Sequence, residues 1–176
     1  TAIPEVKIIK PKIFEDDRGY FYESFNEKLF TQILGIDISF VQDNHSKSSY
    51  GVLRGLHLQK KPFAQAKLVR VIKGEIFDVA VDVRKNSPTY GYWIGEYLSE
   101  KNKKQLWIPE GFAHGFLSVS DYAEVVYKTN NFYNKESEVT LHPFDNDLKI
   151  QWPKLKQKVF MSEKDARGIN FGEFYE

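Results

Sequence analysis

Residues Lys67 to Arg84 limit this chain to a few folds. Phe77, Val79, Val81 and Val83 alternate with Asp78, Ala80 and Asp82, the two-residue period of a strand with one apolar face. A helix cannot gather such a pattern into one stripe. Lys67 to Ile72 precedes this run across Lys73-Gly74, so the two segments are predicted to pair as a tight hairpin. Further strands are expected over 6–13, 20–25, 38–44, 92–98, 105–108, 115–119 and 123–129, most of them separated by turns rich in Gly, Pro, Asn, Asp and Ser. The pattern predicts a helix over Glu27–Leu34, with Asn26 as N-cap, Leu29, Phe30 and Ile33 at helical spacing, and Gly35 just past its end. A second short helix is expected after Ser162. So many strands with so little helix predict an all-β sandwich or jelly-roll β-barrel with a few short helices. One domain is expected over 1–176, with the segment from about 154 partly helical.

Charge and cysteine content exclude several functions. Lys plus Arg number 25 against 24 Asp plus Glu, so no overall field draws the chain to nucleic acid or to an anionic membrane. Anion recognition must be local. The absence of cysteine excludes disulfide frameworks, thiolate metal sites and redox thiols. The first residues lack the basic and apolar regions of a leader, and no apolar run approaches the ~20 residues of a spanning helix. A soluble cytoplasmic protein is the expectation.

Two segments carry the chemistry. In Arg54-Gly55-Leu56-His57-Leu58-Gln59, His57 sits between two leucines on a predicted strand and points opposite to them. If the leucines face a core, His57 faces a cavity, where an imidazole can act as a base near neutrality. Read alone, His57 is equally well a hydrogen-bonded structural residue. Arg54 beside it supplies a fork suited to phosphate oxygens. The second segment, Pro109-Glu110-Gly111-Phe112-Ala113-His114, matches the Pro-x-Gly-x-x-His pattern of cupins. The two segments are expected to pair as strands of a cupin-like barrel.

Metal-binding cupins complete their site with a His-x-His pair and a glutamate. Here Gln59 replaces the second histidine and Lys67 stands where the glutamate is expected, and an ammonium cannot bind a cation. A fixed positive charge in that place can stabilise a developing enolate oxygen. Tyr127, on a strand face with Val125 and Thr129, is either a proton donor at close range or a packed ring with a satisfied hydroxyl. Tyr133 is a rival for that role or a stacking surface. Asp165 is a carboxylate able to orient His57, although spacing alone does not select it. The lysines of Lys154-Leu155-Lys156-Gln157-Lys158 read as a solvated face.

Taken in order, Asp17-Arg18-Gly19, Phe21-Tyr22-Glu23, Gln42-Asp43-Asn44, Ser46, Ser48, the Arg54 and Pro109 segments, Lys67-Leu68-Val69, Ser87-Pro88-Thr89, Tyr127-Lys128 and Ile150-Gln151-Trp152-Pro153 resemble the dTDP-4-dehydrorhamnose 3,5-epimerase family from about Lys12 to Asp165. The resemblance implies a homodimeric jelly roll that acts on a nucleotide-linked 4-keto-6-deoxyhexose without metal or cofactor. It matches His57 to the base, Tyr127 to the proton donor, Asp165 to the carboxylate paired with the base, and Lys67 to the group near the keto oxygen. Arg18, Glu23, Gln42, Asn44, Arg54, His114 and Glu138 match positions that hold the sugar nucleotide. Gln59 joins this set, and Phe21 and Tyr133 are expected to flank the base. The stretch after Arg167 departs from the family pattern, and a lid is the role considered for it. Competing readings are a C3-only or C5-only epimerase, a 3,4-ketoisomerase, a GDP-linked or heptose substrate, a non-catalytic sugar-nucleotide binder and a metal-dependent cupin oxygenase.

Overall fold

The structure is a computed structural model that describes residues 1–174; the last two positions of the C-terminal segment lie outside the described residues. In chain order it forms β1 (Lys7–Ile9), β2 (Phe14–Asp16), β3 (Gly19–Phe21), α1 (Glu27–Leu34), β4 (Gln42–Ser49), β5 (Leu53–Gln59), β6 (Lys67–Lys73), β7 (Glu75–Asp82), β8 (Trp93–Ser99), β9 (Gln105–Ile108), β10 (Phe112–Ser118), β11 (Tyr122–Thr129), β12 (Glu138–Thr140) and α2 (Glu163–Ala166). The first sheet has the order β1-β9-β6-β11-β4 and the second β12-β5-β10-β7-β8, while β2 and β3 form a separate hairpin. All of these pairings are antiparallel. The result is a two-sheet jelly roll of cupin type. Among the described residues, no helix is long and apolar enough to cross a membrane.

The expected β6–β7 hairpin does not form. β6 pairs with β9 and β11, and β7 pairs with β8 and β10. Lys73-Gly74 is therefore the corner where the chain leaves one sheet for the other. Gly74 adopts φ +74°, and a Cβ there would lie 2.0 Å from the Tyr122 carbonyl oxygen. A local reading finds the tight turn but not the sheet change, which packing between the sheets decides.

The apolar face of β7 also has an unexpected partner. Ile76 and Ala80, not the valines, join Val69, Val71, Leu98, Leu106, Phe112, Phe116 and Val125 between the sheets. Phe77, Val79, Val81 and Val83 face the other way, with Leu56 and Leu58, under Leu141, Leu148, Phe171 and Phe174 of the C-terminal segment. β7 is therefore covered on both sides, and the stretch after Arg167 seals the outer face of the second sheet. That is not the position of a lid.

Helix α1 follows its caps closely. Asn26 accepts a hydrogen bond from Leu29 N at 3.1 Å, and Gly35 at φ 68° returns its N–H to Thr31 O. Phe30 is the buried anchor, in edge-to-face contact with Phe25, Phe40 and Trp107 on the outside of the first sheet, whereas Leu29 and Ile33 remain exposed. Strand bounds shift where polar residues interrupt the pattern. β1 stops at Ile9, β3 spans Gly19–Phe21 rather than 20–25, β10 begins at Phe112, and β4 starts at Gln42 and runs on to Ser49.

Gly74→Ala should destabilise the protein by about 2–4 kcal/mol, read as a lower urea midpoint at unchanged slope. A change within ~0.5 kcal/mol would show that the corner relaxes around a side chain.

Candidate active site

The site lies between the sheets and is built by strand alternation with one interruption. β5 and β10 pair with His114 opposite His57 and Phe116 opposite Arg54, so three steps on β5 match two on β10. This bulge places Arg54 and His57 on one side, although regular alternation would separate them. It is seated on a close backbone approach: a Cβ on Gly55 (φ +112°) would lie 2.6 Å from Gly115 Cα and from the His114 carbonyl oxygen. Leu56 and Leu58 pack on the outer face while His57 turns inward, as the leucine-flanked pattern implies.

His57 Nε2 is 2.6 Å from Asp165 Oδ1. Asp165 is nearly buried on α2, whose Ser162 cap hydroxyl accepts from Asp165 N at 3.1 Å. Burial pushes its carboxyl up, but hydrogen bonds from His57, Ser162 and the Gly55 backbone, together with the His57 charge, outweigh burial and hold it below the usual carboxylate range. It is therefore an ionised partner that fixes the orientation of the imidazole.

Lys67 faces in from β6, 7% exposed, with its Nζ 3.4 Å from the His57 carbonyl oxygen and 5.9 Å from the Tyr127 ring centre. Burial depresses its ammonium to about 8, while the charges of Asp78 and Glu138 work against that fall. His114 gives or shares a proton with Asp78 Oδ1 at 2.7 Å, and desolvation lowers its pKa. Its ring lies edge-on to Tyr127, with centres 6.4 Å apart. Tyr127 enters from β11, and burial raises its phenol above the ordinary value despite the Arg54 charge.

The wall of the cavity opposite His57 is polar. Gln42, Asn44, Ser46 and Ser48 alternate along β4, with Asn44 beside Tyr127 in register. Arg54 Nε donates to Ser48 Oγ at 2.9 Å, and Gln42 donates to Asn44 Oδ1. At the other end, the Tyr133 hydroxyl donates to Glu138, which pairs with Lys164 of α2. Burial raises the Glu138 carboxyl, but these two partners win and leave it low.

Not every expected residue joins this group. Gln59 is buried and spends its amide on Phe63 O, Phe132 O and Asn134 N, so it ties down loops. Arg18 is paired with Asp16 on the β2–β3 hairpin, Phe21 touches Phe14 there, and Glu23 accepts from Asn26. None of these contacts reaches the cavity of the same chain. Conversely, Asp78 and Lys164 join the site although local sequence pattern does not single them out. Asp78 was hidden as the polar step of an apolar strand, and Lys164 within a charged run. Only the inward alternation of β7 offered a signal for Asp78.

A carboxylate-oriented imidazole on one sheet, a phenol on the other and a buried ammonium between them define a jelly-roll enzyme that moves protons next to a carbonyl. Comparison with known proteins carries this further: the family model described as dTDP-4-dehydrorhamnose 3,5-epimerase matches residues 1–173, and the chain belongs to that family. It is 58% identical to the dTDP-4-dehydrorhamnose 3,5-epimerase of Shigella flexneri, over 97% of this chain and 93% of the relative. The dTDP-6-deoxy-D-glucose-3,5-epimerase of Legionella pneumophila, solved with dTDP-4-keto-L-rhamnose, superposes with a TM-score of 0.96 at 51% identity, covering 99% and 92% of the two chains. A 3'-monoepimerase of Streptomyces bikiniensis, solved with dTDP-quinovose, gives a TM-score of 0.90 at 32% identity, covering 96% and 84%.

Asp165→Asn should lower the proton-transfer rate by a factor on the order of 10²–10⁴ with little change in KM, because the amide no longer fixes the imidazole tautomer. Steady-state rates check this, and an unaltered kcat would remove Asp165 from the dyad.

Proposed function

We propose that this chain epimerises C3 and C5 of dTDP-4-dehydro-6-deoxy-D-glucose to give dTDP-4-dehydro-L-rhamnose. Both hydrogens lie α to the C4 ketone, so each removal gives an enolate whose charge rests on the keto oxygen. His57, held by Asp165, takes the proton; Lys67 steadies the oxygen; Tyr127 returns a proton from the other side. The observation that carries this reading is that His57 and Tyr127 stand on opposing sheets with Lys67 and His114 between them, because inversion needs removal and delivery on opposite faces. Arg54, with Ser48 beneath it, suits a diphosphate, whose binding energy positions the ring.

The family's monoepimerase shares the fold, so the second stereocentre needs its own measurement. Proton NMR in D2O should show deuterium entering at both C3 and C5 with inversion. Exchange at one carbon would make this a single-site epimerase. His57→Asn should abolish exchange at both positions.

Activity should also carry a high-pH limb. Burial depresses Lys67, so its ammonium is present below about pH 8 and lost above it, whereas the raised phenol of Tyr127 keeps its proton there. Turnover is expected to fall as pH rises through about 8. Lys67→Arg should weaken turnover but remove that limb; a limb that persisted would belong to another group.

We further propose a homodimer in which the β2–β3 hairpin completes a neighbour's site. Arg18 and Phe21 stand on that exposed arm, 90% exposed for the Arg18 side chain and 66% for Phe21, with no contact to their own site among the described residues. Light scattering should give about twice 20.6 kDa. Mixing His57→Asn and Arg18→Ala chains should restore activity through one intact shared site, while mixtures no more active than their parts would confine each site to one chain.

A further inference from the structure

Asp78 has no exposed surface; one of its oxygens is taken by His114 and the other, Oδ2, is buried without a hydrogen-bond partner among the described residues. A buried carboxylate oxygen left unpaired is costly, so such an atom calls for a partner in the working molecule. Alternation shows where that partner comes from. On β7, Asp78 lies between Ile76 and Ala80, both in the core between the sheets; on β6, Lys67 precedes Val69 and Val71 in that same core. The two side chains therefore face each other across a gap of about 10 Å between packed sheets, which a lysine stem largely spans. Among the described residues, the ammonium's hydrogen bond is a long one, 3.4 Å to the His57 carbonyl oxygen, with the Tyr127 ring centre 5.9 Å away.

We propose that Asp78 is a positioning residue, the buried counter-ion whose free oxygen anchors the Lys67 ammonium beneath the reacting carbonyl while His114 holds the carboxylate in place. This rests on the proposed role of Lys67 at the keto oxygen. Asp78 does not touch the sugar; it acts through Lys67. The groups around Lys67 are Asp78 on β7, His114 on β10, His57 on β5, Tyr127 on β11, Glu138 on β12 and Lys164 on α2. Among the charges acting on Lys67, that of Asp78 opposes the effect of burial most strongly, ahead of Glu138, while Lys164 works in the other direction.

The test is the titration of Lys67 itself, followed by NMR of Cε in protein carrying ¹³C-lysine, with the signal assigned by its loss in Lys67→Arg. In Asp78→Asn the midpoint should fall by about one pH unit or more, because a nearby opposite charge has been removed, and the high-pH limb of turnover should fall with it while KM changes little. In His114→Asn the midpoint should rise, since both carboxylate oxygens become free for the ammonium. Packing damage would not move the two variants in opposite directions. An unchanged or raised midpoint in Asp78→Asn overturns the proposal. If that variant does not fold, His114→Asn decides alone, and an unchanged or lowered midpoint there overturns it. Should the midpoints move as expected while turnover at both carbons keeps its wild-type pH profile, the counter-ion stands and the catalytic use of Lys67 fails instead.

Discussion

The near-contact of β5 and β10 at Gly55 and Gly115 governs this molecule. Two strands that approach this closely cannot carry side chains at the crossing, and the added residue on β5 changes the phase of the strand just before His57. Arg54 and His57 consequently share the interior face. With regular pairing, one of them would lie under the C-terminal layer, and the interior would lose either the imidazole or the guanidinium.

The second dependence is that of the site on the C-terminal segment. This segment covers the outer face of the second sheet, burying Phe171 and Phe174 over Val79, Val81 and the two leucines that flank His57. The same stretch carries α2, which delivers Asp165 to His57 and Lys164 to Glu138. Apolar cover outside the sheet and orientation of the His57 imidazole on its inner side thus come from one piece of chain. Burial also sets the electrostatics. Lys67, His114 and Tyr127 all have pKa values displaced toward their neutral forms by desolvation, while Asp165 and Glu138 stay ionised because specific partners outweigh their burial.

Much of this was legible from local pattern. The caps of α1, the Ser162 cap, the bounds of β9 and the inward turn of His57 follow from residues within a few positions of each other, and the structure reproduces them. β4 was half hidden because its inward residues, Gln42, Asn44, Ser46 and Ser48, are polar; a strand that lines a wet cavity lacks the apolar period that betrays strands elsewhere. Leu29 and Ile33 shared helical spacing with Phe30, yet only Phe30 found a surface to cover. Gln59 lies two residues from His57 and faces inward, but its amide is consumed by loops that the chain brings back from around 63 and 132–134.

Sequence alone determined the all-β class, the principal helix, the inward direction of His57 and, through motifs spread along most of the chain, the family. These are properties of short-range periodicity, capping and residue order, which survive without knowledge of distant contacts. Tertiary structure decided that β6 and β7 part at Gly74, that the valine face of β7 looks outward, that α2 folds back so that Asp165, which the family resemblance but not spacing singles out, meets His57 from 108 residues away, and that Arg18 and Phe21 make their described contacts away from the site of their own chain. Each of those outcomes depends on which surfaces meet when the two sheets and the C-terminal layer pack, and that choice is made by burial across the whole molecule rather than by any one segment.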